Sequence, residues 1–178
     1  MAEAFSNKLT RAAGIVSTSS SGAVGILTNL ITGISTVDVA VNDLVDNSQF
    51  LTGTKVSSVG ASQVVCDRDS TNTAAVTSQS VKFLGPTTAY TSTGTKSILV
   101  GGTFANNTTN SVNLTVQVFD NSASSEVGLA AKIPVPSGSS FVITDAGKTV
   151  LESSDEIRVY CDSANAIDAT LSILTGVS

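Results

Sequence analysis

Three aspartates stand close together in the stretch VDVAVNDLVDN: Asp38, Asp43 and Asp46, with Asn42 and Asn47 beside them. A hard cation such as calcium takes six to eight oxygen ligands, and these side chains would supply part of such a shell. The stretch lacks the loop spacing and the glycine of a calcium-binding hand, so it reads first as a solvated turn, with cation binding left open. Asp67-Arg68-Asp69 reads as a local charge network at a strand end, and Asp155-Glu156 as a turn capped before a strand. Paired carboxylates can cleave glycosides. Such sites usually also want aromatic platforms, and this chain has no tryptophan and only two tyrosines, Tyr90 and Tyr160. With no histidine, Ser-His-Asp and Cys-His catalysis are excluded. Neither a Walker P-loop nor a dinucleotide fingerprint occurs. Val100-Gly101-Gly102 is too short to cradle phosphate and reads as a kink in a strand. Cys66 and Cys161 follow strand-like alternations and read as buried thiols. Without histidine, two cysteines cannot complete a structural zinc site. Sequons at Asn106, Asn107 and Asn113 are what a chain rich in Asn and Thr produces by chance. The chain is therefore expected to be no enzyme and to need no cofactor.

The elements that must position these residues are set by composition. In 178 residues, 41% are hydrophobic, 13% charged and 4% aromatic. That is enough apolar material for a core and about half the usual charge. Ser and Thr make up more than a quarter of the chain, and with Val, Ile, Gly and Asn they suit pleated sheets and tight turns. The formal charge of −5, with no basic cluster, argues against nucleic acid as a partner. No apolar run is long enough to cross a bilayer. The opening residues lack the apolar centre of a secretory signal, so synthesis in a cytoplasm is expected.

The best helix candidate is EAFSNKLTRAA, residues 3–13. Phe5 and Leu9 fall at helical spacing, Glu3 lies near the start, and Lys8 and Arg11 lie near the end. Gly14 is a natural stop. So short a helix must dock to persist, on its own domain or on a neighbouring subunit, and Phe5 and Leu9 are the residues expected to anchor it. Next come strands expected at 23–26, 29–34 and 63–66, then a segment placing Val81 and Phe83 on one face. Pro86 marks a boundary. Beyond it the turn signals recur every 8–12 residues or so, as in a sandwich. Ile98, Val100 and Phe104 are expected to face inward. Strands are expected at 141–143, 149–151 and 157–161, with Ala169, Leu171 and Ile173 aligned at the end. In SVNLTVQVF, residues 111–119, Val112, Leu114, Val116 and Val118 alternate with the uncharged Asn113, Thr115 and Gln117. The expected fold is all-β: a helical arm at 1–14, a β-barrel-like module at 15–85 and an antiparallel β-sandwich at 86–178.

The second half resembles a β-sandwich module of structural proteins in tailed-bacteriophage particles. The residues that carry this are VGGTFANNTTNSVNLTVQVFD, the corner Pro134 to Ser140 (P-x-P-x-G-S-S), the strand entry Leu151 to Ile157 (L-x-x-x-D-x-I), and Asp168 to Leu174 (D-x-T-L-S-x-L). Ile31 to Thr71 looks like another phage module, and the whole is similar to virion proteins of T4-like phages of marine cyanobacteria. These motifs are turn and core residues, so they carry lineage and no catalytic site. The resemblance implies a virion component on the head exterior (a decoration protein), the neck or the tail. Its partners would be copies of itself, as in the trimers common among such accessory proteins, and other virion proteins. An uncharged strand face agrees with that, because charge is what keeps exposed sheets apart. Burying Thr, Asn and Gln costs far less than burying Lys or Glu. The alternative from another class is a host-recognition or carbohydrate-binding module, for which Tyr90 and Tyr160 would have to line a concave site.

Overall fold

The computed structural model describes residues 3–94 and 96–177, leaving aside the side chains of 145–148. Among them every regular element is a strand, and the strands form three antiparallel sheets. The chain packs as two compact units. One comprises 1–14, 86–161 and 165–178, and the other comprises 15–85 with 162–164. Strand β1 (Ala4–Thr10) opens the first unit. The other unit holds β2 (Ile15–Val24), β3 (Leu30–Thr32), β4 (Leu44–Asp46), β5 (Val56–Val59), β6 (Gln63–Cys66) and β7 (Val76–Leu84). The first unit resumes with β8 (Thr87–Thr91), β9 (Lys96–Asn106), β10 (Val112–Asp120) and β11 (Ser125–Val135). It ends with β12 (Ser140–Glu152), β13 (Glu156–Cys161) and β14 (Ile167–Thr175).

The expected N-terminal helix is corrected: residues 4–10 are an edge strand, paired in register with β14 from Ala4 opposite Thr175 to Thr10 opposite Ala169. The spacing of Phe5 and Leu9 fits a helix turn, but with Asn7 between them it equally fits one face of a strand. Ser6, Asn7 and Thr10 are weak helix formers. The backbone edge of β14 offers this segment a full ladder of hydrogen bonds that an isolated helix of this length cannot match. The ladder ends in a turn: the Ala12 N–H donates to Asp168 Oδ1 at 2.9 Å and the Ala13 N–H to the Ile167 carbonyl at 2.8 Å. Gly14 (φ 105°) lies so close to the Tyr160 backbone that a Cβ would sit 2.9 Å from its Cα.

In the first unit, the sheet β1-β14-β9-β12 and the sheet β11-β10-β13-β8 contribute to one core. Leu171, Ile173, Phe104 and Leu151 come from the first sheet, and Leu114, Val116, Ile157 and Val159 from the second. The inward phase of β9 differs from expectation. Ser97 and Leu99 point in, Val100 is exposed, and Phe104 and Asn106 point in again. A β-bulge at Val100 causes this, since β14 pairs Ser172 with Gly101 and then Ile173 with Leu99. The glycine pair permits it: a Cβ on Gly101 would lie 3.0 Å from the Ile143 carbonyl, and one on Gly102 3.0 Å from Leu171. Opposite the bulge, the pairing of β12 breaks between Thr144 and Thr149, so the strands expected at 141–143 and 149–151 are two ends of one element.

The other unit orders its strands β4-β7-β2-β3-β6-β5. The two ends of that order meet: Leu44 bridges Lys55, the Val45 N–H donates to the Thr54 carbonyl at 2.8 Å, and the Val56 N–H to the Asp43 carbonyl at 2.9 Å. Val24, Ile31, Val45, Val56, Val64, Val81 and Phe83 fill its core. Strand β2 runs longer than its apolar residues suggest, because IVSTSSSGAV places serine on both faces and hides the alternation.

Candidate functional site

Phe5 and Leu9 are 74% and 76% exposed, side by side with Asn7 on the outer face of β1. Register extends that face across the sheet. Phe5 stands opposite Leu174, Leu174 opposite Ile98, and Ile98 opposite Val150, an apolar rung across all four strands. The next rung is Asn7, Ser172, Gly101 and Thr144, and the third is Leu9, Thr170, Thr103 and Val142. Val150 and Val142 are 53% and 47% exposed, and Val100 adds to the patch from the bulge. None of these rungs carries a charge. Charged residues flank the field instead, with Glu3, Lys96 and Glu152 toward one end and Arg11 and Asp168 toward the other. Contiguous exposed apolar surface of this kind is a candidate interaction surface; the other unit also exposes large apolar residues, Ile26, Leu27, Val37, Val41 and Leu51, but from loops outside its strands.

Of the rung residues, Phe5 and Leu9 were legible in the sequence, though as a helix. Leu174, Ile98, Val142 and Val150 were missed. Their signal is present: ILV, FVI, VL at 150–151 and IL at 173–174 are unbroken apolar runs, which mean that both faces of a strand are apolar.

The face singled out in the sequence, that of SVNLTVQVF, is different. Val112, Leu114 and Val116 are buried as expected. Thr115 is buried too, and its Oγ1 accepts the Lys132 N–H at 3.2 Å beside a bulge in the β10–β11 pairing. Gln117 lies opposite Arg158 of β13. Arg158 Nη1 donates to Glu126 Oε1 and its Nε to Glu156 Oε2, both at 2.8 Å, and its guanidinium sits 3.8 Å over the Phe119 ring. Burial works to raise the Glu156 pKa, but hydrogen bonds from Arg158 and Thr88, with the arginine charge, outweigh it and hold it below the usual value. The neutral face of β10 is thus flanked by a paired charge network from its neighbours, while the buried Gln117 Oε1 itself has no hydrogen-bond partner.

The three aspartates do not converge. Asp38 and Asp46 are exposed, whereas Asp43 is buried with Oδ2 accepting the Ala40 N–H at 2.7 Å. Burial raises the Asp43 pKa, and the Ala40 hydrogen bond works against that. Among the described residues, no cluster of Asp, Glu, Cys or His is arranged to hold a metal ion. The tyrosines do not share a site. Tyr90 is in the core with its hydroxyl 2.8 Å from Ser97 Oγ, while Tyr160 is on the opposite face of the same sheet. A hollow of about 430 Å³ lies among Ala105–Thr108 and Gly138–Ser140. The Asn106 amide that borders it is committed: Nδ2 donates to the carbonyls of Asn110, Val135 and Pro136, and Oδ1 accepts from Thr108. Cys66 and Cys161 are buried in separate cores, and burial, helped by Asp67, pushes the Cys66 thiol up to about 12. Such a thiol is a packing residue and a poor nucleophile.

Among the described residues, no helix is long and apolar enough to cross a membrane. No protein-family model, no curated protein and no solved structure matches the chain.

Proposed function

We propose that this chain is a non-enzymatic structural protein of a tailed-phage particle, attached to the head exterior, the neck or the tail, and held there by the outer face of the sheet β1-β14-β9-β12. In this reading one face of the sandwich module is the contact. The observation that carries it is the uncharged field headed by the Phe5–Leu174–Ile98–Val150 rung. Covering a fully exposed Phe or Leu contributes about 1.5–3 kcal/mol. Asn7, Thr103, Thr144 and Thr170 cost little to bury beside them. The phage resemblance of the corner and strand-entry motifs supplies the setting.

The test is incorporation into particles. Phe5→Thr with Leu9→Thr keeps strand-forming residues while removing the apolar contact. The doubly substituted chain should fold and be missing from purified particles that contain the wild-type chain. Normal incorporation would refute this role for the face. Point substitution is cleaner than removing residues 1–13, which would strip the ladder from β14.

A further inference from the structure

The strand that carries Phe5 and Leu9 also forms the open edge of its sheet. Among the described residues β1 pairs with β14 alone, so the N–H and C=O groups along its other edge have no strand partner. A seven-residue edge is a template for another strand. Read along the chain, Glu3 precedes the strand, Phe5, Asn7 and Leu9 stand on its outer face, and Arg11 follows it. That order is acidic, apolar, amide, apolar, basic, and it is its own complement when reversed. We propose that β1 pairs antiparallel with β1 of a second copy, about a two-fold axis at Asn7, making one continuous eight-stranded sheet. This deepens the assembly reading by naming a partner for the same surface.

The register is fixed by chemistry on both faces. Centred on Asn7, Phe5 lies opposite Leu9 of the second copy and Glu3 opposite its Arg11. Both of those pairs occur twice by symmetry. On the other face Lys8 falls opposite Ser6 of the second copy. Moving the axis to residue 8 would set Lys8 against itself and Phe5 against Arg11. Moving it to residue 6 would lose both ion pairs and set Phe5 against Asn7. Opposite charges and apolar pairs directly across a ladder are favourable, while like charges there are not. A two-fold interface needs such a self-complementary patch. The pairing would also join the apolar rung of one copy to the Leu9 rung of the other, doubling the neutral face.

The axis gives a sharp test, because residue 7 meets itself. Sedimentation of the full chain should show a concentration-dependent dimer. Asn7→Lys and Asn7→Asp should each weaken it by about tenfold or more, since each sets like charges across the axis. An equimolar mixture of the two variants should regain the dimer as a heterodimer. If a change at residue 7 disturbs the strand itself, Glu3→Arg and Arg11→Glu carry the same logic: each weakened alone, restored when mixed. A wild-type chain that stays monomeric at every concentration, or one that pairs only with a different virion protein, overturns the proposal. So does a dimer indifferent to these substitutions, or one that no mixture restores. A mutation-sensitive dimer missing from particles would sink the virion reading and spare this one. A monomer found in particles would do the reverse.

Discussion

The two sheets of the sandwich unit share a core and differ in what they turn outward. On β11-β10-β13-β8, Arg158 reaches Glu126 and Glu156, covers Phe119, and leaves its partners satisfied, with Thr88 completing Glu156. Docking such a face means desolvating charges that already have partners, a cost that a new contact rarely recovers. On β1-β14-β9-β12, three rungs hold only apolar, hydroxyl, amide and glycine groups. There the loss on docking is small and the gain is hydrophobic. In the proposed assembly, one face is largely finished by its own chain, with the buried Gln117 Oε1 left unpaired, and the other would be finished by something laid on it or beside it.

The largest effect should come where the two sheets are tied together. Asn106 ends β9 in one sheet, and its Nδ2 donates to Val135 at the end of β11 in the other, to Pro136, and to Asn110 before β10. Asn106→Ala removes those donors together with the Oδ1 that accepts from Thr108, several hydrogen bonds in one change, which should cost about 3 kcal/mol. A denaturant melt checks it, and a cost under about 1 kcal/mol would mean the corner holds without the amide.

Next is the charge-paired face. Arg158→Met keeps much of the side-chain volume over Phe119 and leaves Glu126 and Glu156 without their cation. Exposed pairs are worth little, but Arg158 is three-quarters covered and bound twice, so a loss of about 1–2 kcal/mol is expected. Particle incorporation should not change. Loss of incorporation with intact stability would reverse the roles of the two faces.

Acid sharpens the contrast between units. The Glu156 pKa in the folded chain lies below its ordinary value, so its contribution is present above the unfolded pKa of about 4.3 and is lost as pH falls through the folded value. Asp43 has the opposite sign. Its folded pKa is raised, so its contribution is present below the unfolded value of about 3.9 and is lost as pH rises through the folded one. Melts against pH should show Glu156→Gln losing less stability than wild type on acidification. Asp43→Asn should be the more stable protein at neutral pH, with that advantage vanishing in acid.

The all-β class and most of the inward faces were legible, because Val, Leu and Ile alternate with Ser, Thr and Asn in β10, β13 and β14. Three features were not. β1 carries a pattern that satisfies period 2 and period 3.6 together, and what decides between them is the edge of β14, more than 150 residues away in sequence. The bulge at Val100 shifts the phase of β9, and it follows from glycines that must admit Ile143 and Leu171, neighbours no local window contains. The proposed contacting face was sought on β10, where the local sequence is neutral. Its charge comes from β13 and β11 beside it, and strand order cannot be read from one strand.

The smallest effect on stability is the most decisive for the comparison. Phe5 and Leu9 project from an edge strand with three-quarters of their surface in water, so they add little to the fold. What they contribute is the cross-strand contact of Phe5 with Leu174 and of Leu9 with Thr170. Such pairs are worth about 0.2–1 kcal/mol, and threonine keeps the strand preference. Phe5→Thr with Leu9→Thr should therefore lower stability by less than about 1 kcal/mol while removing self-association and incorporation together. Arg158→Met should show the reverse pattern, with stability lost and assembly kept. If the Phe5 and Leu9 variant melts as far below wild type as the Arg158 variant does, these side chains belong to the fold, and the distinction between a finished and an unfinished face fails.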